Sequence, residues 1–164
     1  MVKRRVICLI LLKAMPKKYI RDKRSPKPLN ESTSRVMSAN KAKNTKPEIA
    51  LRKALWSEGH KGYRLNWKQV PGRPDIAYPG KKIAIFVNGC YWHRCPKCNL
   101  PLPKTNTDFW KEKFDKNVKR DKKKNDELLS LDWIVLVFWE CDINSDISNL
   151  IKNIKKILDA RGKE

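Results

Sequence analysis

Four cysteines in the second half of the chain have the spacing of a metal site. Cys90, Cys95 and Cys98 lie in one short segment, and Cys141 follows at the end of an apolar run. Four thiolates form a closed tetrahedral site of the kind that zinc occupies when its role is structural. The spacing therefore predicts a structural Zn²⁺ site, with free buried cysteines as the alternative.

An aspartate and a histidine near these cysteines are candidates for hydrolytic chemistry. Asp75 follows a turn and begins a predicted strand, and His93 lies in the cysteine-rich segment after the next strand. A carboxylate at a strand end can hold Mg²⁺ against a scissile phosphate, and an imidazole can exchange a proton with water near neutral pH. His93 has a second interpretation, as a zinc ligand in place of one cysteine.

The first clear helix begins close to residue 45. Thr45 and Glu48 have the spacing of a capping box, with Pro47 in the first turn, and Gly59 ends the helix. Glu48 can therefore serve the helix cap alone or combine the cap with a role in the site.

The remaining elements follow from periodicity and turn residues. Trp133 to Trp139 is the most β-prone run, which favours a central strand. Strands are also predicted at 63–67, 75–78 and 82–87, the last two antiparallel neighbours, and helices at 107–130 and from Ser145 or Asp146 onward. This order predicts a three-layer α/β domain with a mixed sheet.

The net charge of +21 indicates a polyanionic partner. Residues 1–46 carry +12 of it, and a second basic stretch, 119–124, lies within the long predicted helix. No apolar run reaches the roughly 18–20 residues that span a bilayer, so we expect no membrane partner.

We divide the chain into a basic arm with no stable fold (1–33), a folded domain (34–160) and a tail (161–164), and interpret 1–14 as an upstream extension before a start at Met15.

Several short motifs, in order, resemble the very short patch repair (Vsr) mismatch endonuclease family over about residues 34–158. They are 44–48, 71–75, 85–93, 108–110, 117–121 and 139–141. The resemblance implies a PD-(D/E)xK-like, restriction-endonuclease-like fold with a structural zinc. It also implies Mg²⁺-dependent nicking of duplex DNA next to the T of a T:G mismatch, the product of 5-methylcytosine deamination.

The resemblance also implies residue roles. Asp75 and the main-chain carbonyl of Val87 bind Mg²⁺, His93 activates or orients the attacking water, and Glu48 reaches the hydrated metal cluster. Asn88 stands where the family usually carries an acid or a histidine, and an asparagine can orient water but is a poor base.

DNA contacts are expected from two groups of residues. The resemblance implies that Tyr91, Trp92 and Trp110 wedge into the base stack beside the mismatch while Met37 enters from the other groove. Weak stacking at a mismatch makes such insertion cheaper there. Trp110 can instead be a core residue on the face of its helix. Tyr91 and Trp92 can instead cover the zinc site. The charge pattern adds backbone contacts from Lys119, Arg120, Lys122, Lys123 and Lys124.

Three other functions fit parts of this pattern. They are a zinc-stabilised DNA-binding protein in which Asn88 has removed the activity, an endonuclease of the same fold acting on another DNA structure, and a basic RNA-associated protein. We expect a monomer in the cytoplasm, associated with the nucleoid and coupled to a cytosine-5 methyltransferase system and mismatch-repair proteins.

Overall fold

The computed structural model describes residues 25–162, so the predicted extension 1–14 and the start at Met15 lie outside the described residues. The helices are α1 (Glu31–Ala39), α2 (Lys46–Ser57), α3 (Thr107–Ser130) and α4 (Glu140–Ala160). The strands are β1 (Arg64–Leu65), β2 (Ile76–Tyr78), β3 (Ile83–Asn88) and β4 (Ile134–Trp139), with a 3₁₀ turn at Pro79–Lys81.

The four strands form one mixed sheet in the order β1-β2-β3-β4. The β1–β2 and β2–β3 pairs are antiparallel, with Ile76 opposite Ile85, whereas β3 and β4 are parallel, with Val87 opposite Phe138. The mixed sheet is confirmed, but the prediction of a central strand at 133–139 is wrong. β4 is an edge strand of the described sheet, and all its residues are half-buried because only one side pairs with another strand.

Alternation along β3 separates two cores. Ile83, Ile85 and Val87 pack with residues of α2 and α4 on one face. Ala84 and Phe86 belong to a smaller cluster on the other face, which includes Leu128 of α3. Because successive side chains of a strand point to opposite faces, this is the predicted three-layer architecture.

Local signals define α2 closely. Thr45 Oγ1 accepts a hydrogen bond from the Glu48 N–H at its start. At its end, Gly59 has φ +80°, and the N–H of His60 donates to the carbonyl of Leu55. The second pattern is a Schellman cap, whose left-handed residue is usually glycine. The predicted bounds of this helix are confirmed.

Three elements differ from the predictions. Helix α1 was not predicted, and its first residues lie in the arm; Asn30 Oδ1 caps it by accepting from the Thr33 N–H. The strand predicted at 63–67 is only two residues long because Asn66 has φ +46°. Helix α4 starts at Glu140, earlier than predicted, but Asp146 has non-helical angles and its carboxylate accepts from the Asn149 N–H, so it caps the second segment as predicted.

Within residues 25–162, no helix is both long and apolar enough to cross a bilayer.

Candidate active site and zinc centre

Antiparallel pairing of β2 with β3 places Asp75 at the carboxyl end of β3. Asp75 immediately precedes β2, and its Oδ2 accepts a hydrogen bond of 2.8 Å from the main-chain N–H of Val87. Residues Val87 and Asn88 end β3. The sheet therefore brings Asp75 next to Val87 and Asn88, although 12 positions of sequence separate Asp75 from Val87.

The turn before Asp75 passes tightly between the sheet and α3. Gly72 has φ +76°, and a Cβ added there would lie 3.0 Å from the Phe86 ring and 3.2 Å from Lys124 Cβ. Only glycine combines that backbone angle with that clearance. The turn thus fixes the direction from which the chain enters the site.

Asp75 has the electrostatics of a cation site. Its pKa is raised to about 6, chiefly by burial and also by the nearby negative charge of Glu48, against the opposing effects of the Val87 hydrogen bond, His93 and Arg52. Glu48, His93 and Asp75 therefore lie close enough to interact electrostatically, as expected of one site. A carboxylate that is disfavoured by its surroundings gains most when a divalent cation binds it.

Glu48 takes part in the helix cap, and its carboxylate oxygens can still accept further hydrogen bonds. Its Oε1 accepts from the Thr45 hydroxyl at 2.8 Å and its Oε2 from the Asn44 N–H at 2.9 Å, and the residue is only 6% exposed. Each carboxylate oxygen can accept a second hydrogen bond. The cap and a role in orienting water are therefore compatible.

His93 is held by an acid that the sequence analysis missed. Its Nδ1 lies 2.5 Å from Asp121 Oδ2 on α3, and both side chains are about a quarter exposed. A carboxylate that accepts the Nδ1 proton leaves the Nε2 lone pair available to take a proton from water. This pair is the arrangement of a general base and its orienting group.

Asp121 belongs to one stripe of α3. Trp110, Phe114, Asn117 and Asp121 recur at intervals of three or four residues, so they share a helix face. Asn117 donates through Nδ2 to the carbonyl of Trp92 at 3.1 Å, which docks the His93 segment on the same face. In the sequence, this role was indicated only by Asn117 and Asp121 continuing the apolar face of the helix with polar side chains.

The four cysteines converge as predicted. The Sγ atoms of Cys90, Cys95, Cys98 and Cys141 all lie within 4.8 Å of one another, and those of Cys95 and Cys141 are 3.8 Å apart. Zinc–sulfur bonds of about 2.3 Å place tetrahedral ligands roughly 3.8 Å apart, so the donor set and the spacing fit zinc. His93 is not part of this cluster, because its ring contacts Asp121 instead.

The cluster joins two distant segments. It ties the loop 90–98 to the start of α4, and the ion pair of Lys97 with Asp142, at 2.7 Å, lies beside it. Since His93 lies within this loop, a metal ion bound by the four cysteines would limit how far the imidazole can move.

The aromatic residues form one cluster on α3. The rings of Tyr91 and Trp92 are 5.2 Å apart, and both pack edge-on against Phe114, while Trp92 lies 6.0 Å from Trp110. Trp110 is only 8% exposed, which agrees with its interpretation as core in this state. Met37 of α1 and Trp110 line the same cleft, of about 160 Å³.

Comparisons with known proteins place the chain in a family. The sequence model of the family described as DNA mismatch endonuclease Vsr matches residues 28–100. The chain is 39% identical to the type II nicking enzyme V.XorIIP of Xanthomonas oryzae pv. oryzae over 125 residues, which cover 76% of this chain and 90% of that protein.

The chain belongs to the Vsr family of DNA endonucleases.

Two further relatives support this membership. The type II nicking enzyme V.NmeAIP of Neisseria meningitidis is 40% identical over 73% of this chain and 89% of that protein. The DNA mismatch endonuclease Vsr of Escherichia coli K12 is 37% identical over 66% of this chain and 69% of that protein. As a Vsr-family endonuclease, the chain acts on DNA, and the RNA-associated alternative is set aside.

Most of the basic stretch on α3 is exposed, as a DNA-binding surface requires, but Lys124 is half-buried and three of the basic side chains lie near acids. Arg120 lies 3.7 Å from Asp121, Lys122 lies 2.8 Å from Asp126, and Lys124 lies 2.9 Å from Glu127. Lys119 and Lys123 are exposed and lie outside these pairs. Exposed pairs of this kind contribute little, so phosphates can replace the acids at small cost. Contact of these five residues with DNA remains a prediction.

Proposed function

We propose that this Vsr-family endonuclease nicks duplex DNA next to the T of a T:G mismatch, in a reaction that depends on Mg²⁺. The observation that carries the proposal is the pairing of His93 with Asp121 beside the half-buried Asp75 carboxylate. It supplies a water-activating group and a cation site to a chain whose relatives include a DNA mismatch endonuclease.

Asp75 and Val87 are the residues that would hold the Mg²⁺. Carboxylate and carbonyl oxygens are the ligands that this ion takes in proteins, with water completing its coordination. Mg²⁺ bound here would neutralise charge on the scissile phosphate and stabilise the leaving oxygen. Glu48 supports the same site by accepting hydrogen bonds from water, while its own position is fixed by Asn44 and Thr45.

His93 takes the proton of the attacking water. Because Asp121 accepts the Nδ1 proton, the Nε2 atom is the proton acceptor, and the carboxylate stabilises the imidazolium that forms. Asn88 cannot share this task as a base, but its side-chain amide can hydrogen-bond to water or phosphate at the end of β3.

Mismatch recognition is assigned to the aromatic cluster and Met37. Tyr91 and Trp92 are half-buried and can enter a base stack, whereas Trp110 needs a shift of its neighbours because it is nearly covered. Met37 and Trp110 line the same cleft, which supports assigning both to one recognition surface. Selectivity then arises from the lower cost of unstacking DNA at a mismatch.

A second candidate is nicking of another DNA structure by the same chemistry. It is favoured by the relatives whose names describe them as type II nicking enzymes and mention no mismatch. We propose further that the protein acts as a monomer, in the cytoplasm with the nucleoid, alongside a cytosine-5 methyltransferase and mismatch-repair proteins.

The test is a nicking assay on end-labelled duplexes that differ only at one base pair. We expect Mg²⁺-dependent cleavage of one strand at T:G and at least tenfold slower cleavage of C:G and T:A duplexes. Equal cleavage of all duplexes, or preference for a flap or another mismatch, would favour the second candidate. Binding without cleavage at any Mg²⁺ concentration would favour the non-catalytic alternative.

A further inference from the structure

Arg52 is tied to the turn that presents Glu48, although no role follows for it from the motifs. Its Nη2 donates to Asn44 Oδ1 at 2.9 Å, and its Nε donates to the Glu48 carbonyl at 3.2 Å. The planar guanidinium thus bridges the residue before the helix cap and the first turn of α2. It touches the backbone of Glu48 but not its carboxylate.

Asn44 is the link between Arg52 and that carboxylate. Its backbone is left-handed, with φ +55°, and its N–H donates to Glu48 Oε2 at 2.9 Å. An asparagine tolerates this conformation but does not enforce it. The contact from Arg52 supplies the constraint, because it fixes the Asn44 side chain while the Asn44 main-chain N–H donates to the Glu48 carboxylate.

We propose that Arg52 is a positioning residue, which holds the Asn44 turn so that the Glu48 carboxylate stays oriented toward the metal-water cluster. This inference rests on the proposed function for its effect on nicking, but the arrangement of the turn can be measured without it. Arg52 also places a cation near the two acids Glu48 and Asp75, whose mutual repulsion it reduces.

The geometry distinguishes arginine from lysine at this position. The Nε and Nη2 atoms donate in one plane to two acceptors on different residues, whereas a lysine ammonium is a single point at the end of a flexible chain. We therefore expect Arg52→Lys to lose the constraint although it keeps the charge. The matched control is Lys53→Gln, which removes the same charge from the next, exposed residue of α2.

The first measurement is amide hydrogen exchange by NMR in the metal-free protein. In Arg52→Gln and Arg52→Lys we expect the Asn44 amide to exchange at least fivefold faster, with the Leu55 amide in the last turn of α2 unchanged. Lys53→Gln should match the wild type. Unchanged Asn44 exchange in both Arg52 variants would overturn the proposal.

The second measurement is the single-turnover nicking rate with saturating T:G duplex and Mg²⁺. We expect a fall of about 10- to 100-fold in both Arg52 variants with an unchanged Kd for DNA, since small misplacement of a supporting group costs rates of that order. A wild-type rate in Arg52→Lys would show that charge alone matters and would overturn the positioning role. If the wild type itself does not nick, the proposed function fails, whereas the exchange result still decides whether Arg52 orders the turn.

A variant of Asn44, at the other end of the contact, keeps the proposal testable if the Arg52 variants do not fold. Asn44→Gly removes the acceptor while allowing the left-handed backbone. If Arg52 acts through Asn44, this variant should reproduce the nicking defect. The double variant with Arg52→Gln should then nick no more slowly than the slower of the two single variants. Additive defects would overturn the proposal even if Arg52→Gln were unstable.

Discussion

Asp75 is the residue on which stability and the proposed chemistry make opposite demands. Its charge is disfavoured by burial and by Glu48, which raise its pKa to about 6, while the reaction requires the ionised form to hold a cation. A group whose pKa is higher in the folded state than in the unfolded state makes the folded state less stable as pH rises through that interval. The metal-free protein therefore carries a destabilising charge at neutral pH.

We predict that Asp75→Asn stabilises the metal-free protein at pH 8. The amide is neutral and its oxygen can still accept the Val87 hydrogen bond. The expected gain is about 1–3 kcal/mol in the free energy of unfolding, allowing for solvent screening of a half-buried group. Chemical denaturation without Mg²⁺ should show the difference shrinking from pH 8 to pH 5. A less stable variant at pH 8 would contradict this view of the site.

Asp121→Asn tests the pairing with His93. An asparagine can present the wrong group to the imidazole and cannot stabilise its charged form, so we expect the nicking rate to fall about 10²- to 10⁴-fold with little change in DNA binding. Asp126→Asn is the matched control, because Asp126 lies on the same helix in an exposed pair with Lys122. Equal rates in the two variants would exclude a role for Asp121 in water activation.

At the scale of elements, α3 organises both proposed activities. One face of this helix holds the aromatic cluster through Trp110 and Phe114, and the His93 loop through Asn117 and Asp121. The same helix carries the basic stretch 119–124. The residues proposed for recognition and for water activation therefore all contact the same helix.

We predict that Trp92→Ala reduces discrimination between T:G and C:G duplexes by about tenfold. Removing the ring takes away stacking worth roughly 1–3 kcal/mol at an unstacked base. Trp56→Ala is the control, since Trp56 is 57% exposed on α2 and is not part of the aromatic cluster. Competition binding and nicking with the two duplexes would measure the ratio, and an unchanged ratio would assign the wedge to another residue.

Elements with local signals were predictable, and those that depend on neighbours were not. Thr45 and Gly59 delimit α2 through their own hydrogen bonds and backbone angle, so the sequence was enough. The edge position of β4 depends on whether another strand pairs with its second side. The apolar residues of the strand itself do not determine this. The cysteine cluster was predictable from spacing, whereas the His93–Asp121 contact needed the packing of α3 against a loop.

At the scale of the whole molecule, the cysteine cluster closes the fold. It connects the loop after β3 with the start of α4 and so fixes the segment that contains His93. The proposed catalytic histidine and the proposed zinc site therefore lie in one connected segment of the chain.

We predict one zinc per chain and its loss in Cys98→Ser. Removing one of four ligands should lower the melting temperature by more than 10 °C and abolish nicking, since the binding energy of a structural zinc contributes to folding. Elemental analysis and thermal unfolding would measure both effects. Ser130→Ala is the control, because Ser130 is an exposed residue at the end of α3 and is not part of the cluster, and it should retain zinc. Full stability of Cys98→Ser would contradict a structural role for the site.

The most direct test of the proposed cation site at Asp75 is single-turnover cleavage of a T:G duplex by the wild type and by Asp75→Ala, with Mg²⁺ and with DNA binding measured in parallel. We predict a nick in one strand next to the T by the wild type, and at least a 10³-fold slower reaction by Asp75→Ala with its preference for T:G binding intact. Undiminished nicking by Asp75→Ala would contradict it, because the cation site would then lie elsewhere.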